Sequence, residues 1–187
     1  MSQKKIPVIL TRKEVEKLLR QPNEETLIGL RNLAILTLIL STGLRVSEVC
    51  NLKFYHIDLE SGTLKVVQGK GQKDRNLAIP DYEIEVLRKW QSKNVRSPFF
   101  FSALNGNQLS PRYLQRMVKR YARKARITKA ITPHTLRHQY ATQYYRQTKD
   151  LESLRLILGH EAISTTQIYI TLSNEEVEAT MRAFKGY

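Results

Sequence analysis

The chain has little cysteine and no long apolar run. Cys50 is the one cysteine among 187 residues, so a disulfide within the chain is excluded. The longest apolar run, Leu33 to Leu40 with Thr37 inside it, is far shorter than the roughly 20 residues that cross a bilayer. The start MSQKKIPVIL lacks the apolar region and cleavage site of a signal peptide. We therefore expect a cytoplasmic protein with no membrane partner.

Acidic residues are missing from the middle of the chain. No Asp or Glu occurs between Val86 and Lys149, although fifteen of the 31 Lys and Arg fall there; the other sixteen are matched by seventeen Asp and Glu. The net charge of +14 is therefore concentrated in one segment. A generally basic surface would scatter its charge, so this distribution indicates a polyanionic partner, and nucleic acid is favoured over a membrane.

Motifs for metal and nucleotide sites are also missing. No G-x-x-x-x-G-K-[ST] sequence occurs, which excludes a P-loop. His134 and His138 have the i, i+4 spacing of the H-E-x-x-H zinc site, but Thr135 stands where that motif has glutamate. A metal-dependent nuclease would need a carboxylate cluster, and none of the four aspartates has a ligand pattern: Asp58, Asp74, Asp81 and Asp150. We therefore expect neither a metal nor another cofactor.

Hydrophobic periodicity predicts a mainly helical chain. The first expected helix begins at a capping box, Thr11 to Glu14, the second spans Leu27 to Ser41, and the third spans Leu44 to Leu52 with Arg45 in its first turn. The next two run from the cap Asp81 to about Lys93, and from Pro111, with Ser110 as N-cap, to about Arg126. Alternating segments predict three strands, at Phe54 to Leu59, Thr63 to Val67 and Arg75 to Ile79. The fold class is therefore α+β, mainly α, with a small three-stranded antiparallel sheet, and the length fits one domain.

The helix predicted from Pro111 has an apolar and a basic side. The residues expected in the core are Leu114, Met117, Val118 and Tyr121; the opposite side carries Arg112, Arg116, Lys119, Arg120 and Arg123. A basic stripe is usually a solvated face, but here no acidic residue neutralises it. We predict that this side contacts DNA, without assigning any base readout.

The run from Thr132 to Tyr169 contains most of the candidate chemistry. His134 and Arg137 are three residues apart and share a helix face. His160 follows Gly159, which is expected to end the preceding helix, and Tyr169 is expected on the next helical segment. Taken singly, His160 has an ordinary interpretation as a helix-cap histidine and Tyr169 as a core tyrosine. His138 is interpreted as a packing residue or one that supports a site residue.

Two upstream residues belong with this run. Arg45 lies in T-G-L-R-x-S-E, where the ordinary interpretation is a surface pair with Glu48. Lys70 lies in G-K-G-x-K between two predicted strands, where the ordinary interpretation is a solvated turn. The order of these segments resembles the tyrosine recombinases, the phage integrase and Xer family, at six positions: Arg45, Lys70, His134, Arg137, His160 and Tyr169.

The resemblance implies a role for each of the six. It implies that Arg45 and Arg137 neutralise the scissile phosphate and that His160 adds a hydrogen bond to it. Tyr169 would be the nucleophile, with His134 as its base, and Lys70 would protonate the departing 5′ oxygen. Lys73 and Arg75 are predicted to be DNA-backbone contacts or solvated charges.

At the level of function, the resemblance implies site-specific DNA recombination through a 3′-phosphotyrosine intermediate, serving integration, excision, inversion or dimer resolution. The implied partner is double-stranded DNA, on which the protein would self-associate as a synaptic tetramer while staying weakly associated or monomeric without it. Two alternatives are open: relaxation of DNA like a type IB topoisomerase, and a DNA-binding module that does not cleave.

The resemblance covers residues 1–187 as a catalytic domain. Larger relatives carry a helical core-binding domain ahead of it, which we expect to be absent here because about ten residues precede the first predicted helix. Weak, strongly salt-dependent DNA binding would follow. The C-terminal tail, from the capping box Ser173 to Glu176, is expected to dock on a neighbouring protomer or on its own domain.

Overall fold

The computed structural model describes residues 8–67, 74–93 and 96–160. The predictions for Lys70, Lys73, Tyr169 and the C-terminal tail therefore lie outside the described residues. Within them the helices are α1 Arg12–Leu19, α2 Leu27–Thr42, α3 Val46–Asn51, α4 Asp81–Ser92, α5 Pro111–Lys124, α6 Pro133–Thr148 and α7 Leu151–Leu158.

Helix α2 lies at the centre of the core. It is apolar on nearly all sides, which is typical of a helix surrounded by protein, and it packs against α4 and α6. Thr26 begins it by accepting a hydrogen bond from the Gly29 N–H at 3.0 Å. Gly43 ends it in the left-handed conformation, with φ 67°, and donates its N–H to the Ile39 carbonyl. The predicted core helix is confirmed.

A three-stranded antiparallel sheet packs against α7 through its third strand. Its order is β1 Ile57–Asp58, β2 Thr63–Val66 and β3 Arg75–Ala78. Leu64 of the central strand pairs with Ile57 on one side and Leu77 on the other, and all three side chains are buried. The predicted sheet is confirmed, and so is the fold class.

The first predicted strand was too long. Phe54–His56 form a 3₁₀ turn, and β1 begins only at Ile57. The Lys53 N–H donates to His56 Nδ1 at 3.2 Å, and the His56 N–H donates to the Lys53 carbonyl at 3.0 Å. These local bonds take the place of ladder pairing.

Two helix starts differ from the prediction, that of α4 by one residue and that of α3 by two. Pro80 is the N-cap of α4, and Asp81 is its first helical residue. Arg45 is the N-cap of α3 in extended conformation, not a residue of its first turn. The start of α5 is as predicted, with Ser110 as N-cap and Pro111 at the first position. None of the helices described here is long and apolar enough to cross a membrane.

Candidate active site

Helix α6 positions His134 and Arg137. Thr132 caps it, with its hydroxyl accepting from the Thr135 N–H at 3.2 Å, and Pro133 takes the first position. His134 is therefore exposed in the first turn, whereas Arg137 is only 3% exposed. Arg137 Nη1 donates to the Gly43 carbonyl at 2.6 Å and Nη2 donates to the Leu158 carbonyl at 2.7 Å. The guanidinium thus links the C-terminal ends of α2 and α7.

The turn after α7 places His160. Gly159 has φ 61° and donates its N–H to the Leu156 carbonyl at 3.0 Å, while the His160 N–H donates to the Arg155 carbonyl at 3.1 Å. This pair of bonds is a Schellman motif, which needs a residue that tolerates positive φ. The predicted helix end at Gly159 is confirmed. It brings His160 Nε2 to 3.1 Å from Arg137 Nη2.

Arg45 reaches the same place from α3. Its Nη1 donates to Glu48 Oε1 at 2.9 Å, and its Nη2 donates to the Gly159 carbonyl at 2.8 Å. A cation at a helix N-terminus is unfavourable by itself, but this guanidinium lies at the negative C-terminal end of α7. Its side chain is 32% exposed, and its Nε has no partner among residues 8–67, 74–93 and 96–160. Arg45 therefore combines the predicted ion pair with donors left for a ligand.

The candidate residues converge on one cleft. It measures about 370 Å³, and its charged and polar lining includes Arg45, His134, Arg137 and His160. The structure therefore brings together four of the six residues predicted from the sequence. Lys70 and Tyr169 belong to segments outside the described residues.

The histidines of the cleft are neutral bases. Partial burial of its ring in the cleft, then the charges of Arg137 and Arg45, hold the pKa of His134 below its usual value. The same causes in the same order lower the pKa of His160 to about 4. Both imidazoles are therefore uncharged near neutral pH in the free protein and able to accept a proton or a hydrogen bond.

His138 lies directly behind His134. The two rings meet edge to face, with centroids 4.2 Å apart and an interplanar angle of 75°. Burial, followed by the charges of His134 and Arg137, lowers the pKa of His138 to about 4. This contact fits the sequence interpretation of His138 as a packing residue.

The basic side of α5 continues the cleft. A neighbouring groove of about 520 Å³, called here the basic groove, is lined by Arg112, Arg116 and Lys119, and it shares residues with the cleft, among them Gln115 and His134. The predicted apolar side of α5 is buried, and its five predicted basic residues are exposed. Arg120 and Arg123 are exposed but do not line the groove. The predicted DNA-contacting set is thus divided by position.

Arg75 has a different place from the one predicted. Its side chain is 9% exposed and forms a bidentate ion pair with Glu48, at 2.9 and 3.0 Å. Its Nε donates to the Ile157 carbonyl at 2.6 Å. These contacts turn the guanidinium towards the protein interior, because Glu48 is buried between Arg45 and Arg75. As a correction to the prediction, Arg75 is neither a solvated charge nor an exposed phosphate contact.

Sequence reasoning missed the uncharged polar residues of the cleft, Ser47 and Gln115. Gln115 is exposed and stands between Arg112 and Lys119 on the basic side of α5. Helical spacing alone would have placed Gln115 on this basic side, since residues three and four apart share a face. Among the described residues, no group of three or more His, Cys, Asp or Glu could hold a metal ion.

Comparison with known proteins shows which sequences and structures this chain resembles. The sequence profile described as "Phage integrase family" matches residues 9–176. Tyrosine recombinase XerD of Staphylococcus saprophyticus is 36% identical over 189 residues, covering 97% of this chain and 63% of the relative. Tyrosine recombinase XerA of Pyrococcus furiosus is 38% identical over 185 residues, covering 96% of this chain and 63% of the relative.

Solved structures have the same fold. A crystal structure of XerA recombinase matches with a TM-score of 0.84 at 29% identity, covering 97% of this chain and 66% of that one. XerH site-specific recombinase, bound to a palindromic difH substrate in a post-cleavage complex, matches with a TM-score of 0.81 at 28% identity, covering 95% of this chain and 53% of that one. The chain spans less than two thirds of the length of the curated relatives named here.

Proposed function

Because the chain belongs to the phage integrase family, we propose that it cleaves and rejoins DNA strands in site-specific recombination. One observation carries the proposal: Arg45, Arg137 and His160 lie around a single cleft in which His134 is the exposed base. Two guanidiniums neutralise the nonbridging oxygens of a phosphodiester, whose charge increases in the pentavalent transition state. His160 supports them with a further hydrogen bond.

The reaction exchanges one phosphodiester bond of DNA at a time. The Tyr169 oxygen attacks the phosphorus, the bond to the 5′ oxygen breaks, and a 3′-phosphotyrosine forms. Neutral His134 takes the tyrosine proton, and Lys70 gives a proton to the leaving oxygen. The phosphotyrosine preserves the energy of the phosphodiester. Attack by a 5′ hydroxyl of another strand therefore restores a DNA backbone without consuming ATP. Exchange of strands in this way is recombination.

The substrate is double-stranded DNA that enters along the basic groove. Arg112, Arg116 and Lys119 are exposed beside the cleft and form no ion pair with a carboxylate within the described part of the chain. They are therefore available for backbone phosphates on one side of the scissile bond. We propose further that protomers associate on DNA to form a synaptic complex and that the protein works in the cytoplasm.

Covalent trapping tests the proposal. The protein is mixed with a randomised library of nicked duplexes that lose the 5′-hydroxyl fragment after cleavage, and the products are separated under denaturing conditions. We expect a denaturant-resistant adduct with wild type and none with Tyr169→Phe. Sequencing of the trapped DNA reports the site preference. Because relatives are longer than this chain, the assay is repeated with a core-binding domain fused upstream.

The outcomes separate the three functions. An adduct together with recombinant products from paired sites supports the recombinase. Relaxation of supercoils without recombinants would identify a topoisomerase. DNA binding without any adduct, in both formats, would leave a binding module and exclude the proposed reaction.

A further inference from the structure

The end of α7 is surrounded by arginines. Four successive backbone carbonyls, from Ile157 to His160, each accept a hydrogen bond from a different guanidinium. Taking the carbonyls in sequence order, the donors are Arg75 at 2.6 Å, Arg137 at 2.7 Å, Arg45 at 2.8 Å and Arg155 at 3.0 Å.

Helix chemistry explains why arginines collect at this end. The last carbonyls of a helix have no partner within the helix, and the macrodipole leaves partial negative charge on them. A guanidinium has five donors in a rigid plane, so it can bind a carbonyl with one edge and another group with the next. The end of α7 therefore orients the phosphate-binding arginines, and the arginines in turn fix the turn from which His160 projects.

Glu48 connects two of these arginines. Its Oε1 accepts from Arg45 Nη1 and Arg75 Nη1, both at 2.9 Å. Its Oε2 accepts from the Arg45 N–H at 2.7 Å and from Arg75 Nη2 at 3.0 Å. Burial by itself raises the pKa of Glu48, but the hydrogen bonds and charge of Arg75, followed by those of Arg45, bring the pKa below its usual value. The carboxylate thus stays charged with both oxygens fully occupied.

From this arrangement we infer that Arg75 is a positioning residue for the cleavage step. It holds Glu48 in the orientation that fixes Arg45, and it fixes the Ile157 carbonyl at the base of the turn that carries His160. Arg75 does not line the cleft itself. The inference rests on the proposed function, since positioning has meaning only if the cleft binds a scissile phosphate.

Three residues of separate elements meet through this one side chain. Arg75 begins β3, Glu48 belongs to α3, and Ile157 belongs to the last turn of α7. A lysine in its place would keep one positive charge but could not form the bidentate pair and the carbonyl bond together, because an ammonium is a compact donor without the planar fork. The guanidinium geometry, and not the charge alone, is therefore what the position requires.

The test compares Arg75→Lys and Arg75→Ala with wild type and with the control Arg88→Lys. Arg88 also donates to a backbone carbonyl, that of Leu59 at 2.9 Å, and does not line the cleft. Single-turnover cleavage of the nicked duplex used in the trapping assay is measured at saturating protein. The temperature is one at which melting curves show each variant folded. DNA affinity is measured separately as a function of salt.

We expect Arg75→Lys to cleave about 10 to 100 times more slowly at saturation, because small displacements of a catalytic group cost rates of about that size. Its DNA affinity and the salt slope of that affinity should match wild type, since a buried ion pair releases no DNA counterions. Arg88→Lys should cleave as wild type does. Methylguanidinium should restore part of the rate of Arg75→Ala, relative to sodium chloride at equal ionic strength.

Two results would overturn the inference. One is an unchanged cleavage rate in folded Arg75→Lys. The other is weaker DNA binding by Arg75→Lys, with the magnitude of the salt slope reduced by about 0.9. Such a change is the effect of losing one phosphate contact, and it would return Arg75 to the DNA interface. Rescue by methylguanidinium is measured within one variant, so lower stability of Arg75→Ala cannot imitate it. Failure of wild type itself to form an adduct contradicts the proposed function, whereas a wild-type adduct with an insensitive Arg75 contradicts this inference alone.

Discussion

Gly43→Ala is expected to reduce stability and cleavage together, because Gly43 meets two demands at once. Its φ of 67° is in the left-handed region, and a β-carbon built there would lie 2.5 Å from Tyr140 Cδ1 and 3.1 Å from Leu158 Cδ2. Its carbonyl also accepts the hydrogen bond from Arg137. A side chain at position 43 must therefore displace the Tyr140 ring of α6, the helix that carries Arg137, or shift the backbone at position 43 itself.

The magnitude follows from two additive causes. A left-handed conformation costs an alanine about 1–2 kcal/mol. Forcing an extra carbon into a packed interior costs about 1–3 kcal/mol more. We therefore expect Gly43→Ala to lower the free energy of unfolding by about 2–5 kcal/mol, a large part of the roughly 5–15 kcal/mol of an ordinary domain. Cleavage by the folded fraction should also decrease, because a shift of the backbone at position 43 moves the carbonyl that Arg137 binds.

Gly62→Ala is the matched control. Gly62 has a nearly equal φ of 65°, but a β-carbon there would meet the flexible end of Ile84 at 3.2 Å and the Ile79 carbonyl at 3.5 Å, away from the cleft. Only the conformational cost of about 1–2 kcal/mol applies. Urea unfolding followed by circular dichroism gives both free energies, and the trapping assay gives the rates. Equal destabilisation of the two variants, with equal cleavage by the folded protein, would refute the packing argument.

Three further predictions concern titration and DNA binding. Burial raises the pKa of Glu83 to about 8, with the Thr37 hydroxyl opposing the shift. The folded state then holds a proton that the unfolded chain releases above about pH 4.5, so stability should fall by up to about 1.4 kcal/mol per pH unit between those two pH values. Glu83→Gln should flatten that slope in urea unfolding at several pH values, and an equal slope in the variant would contradict the assignment. NMR titration of the free protein should give His160 and His138 midpoints far below 6.5, near the values of about 4 set by burial and the neighbouring cations; midpoints at 6.5 or above would show that these rings are solvated. Arg116→Ala should weaken DNA binding and reduce the magnitude of its salt slope by about 0.9. Arg120→Ala, which lies outside the basic groove, should change the affinity and the slope less. If filter binding shows the larger effect for Arg120→Ala, the DNA lies elsewhere.

The local elements were largely predictable from sequence. The caps at Thr11 and Ser110 and the stop at Gly159 are signals carried by one or a few neighbouring residues, and all three appear as expected. The apolar periodicity of α2 predicted a buried helix. The strand predicted at Phe54 failed because alternation cannot reveal a competing local bond, here the one that closes the turn between Lys53 and His56.

The chemistry of the candidate site was predictable as a set of residue types in a set order. The sequence predicted His134 and Arg137 on one helix face and a histidine after a glycine stop, and the structure places them around one cleft. It could not tell whether the Arg45 and Glu48 spacing meant a surface pair or a phosphate site. The structure shows the ion pair with Glu48 buried, while other donors of Arg45 remain towards the cleft.

The sequence by itself determined the charge segregation, the approximate positions of the predicted helices and the identity of the candidate chemical groups, because each depends on composition or on residues close along the chain. Only the tertiary structure decided which cations face a ligand and which face the protein. Arg75 and Arg116 are both basic residues in basic surroundings, yet one is buried against Glu48 and the other is exposed in the basic groove. The difference arises because the partners of Arg75 are 27 and 82 residues away along the chain, and only packing of β3 against α3 and α7 brings them within hydrogen-bonding distance.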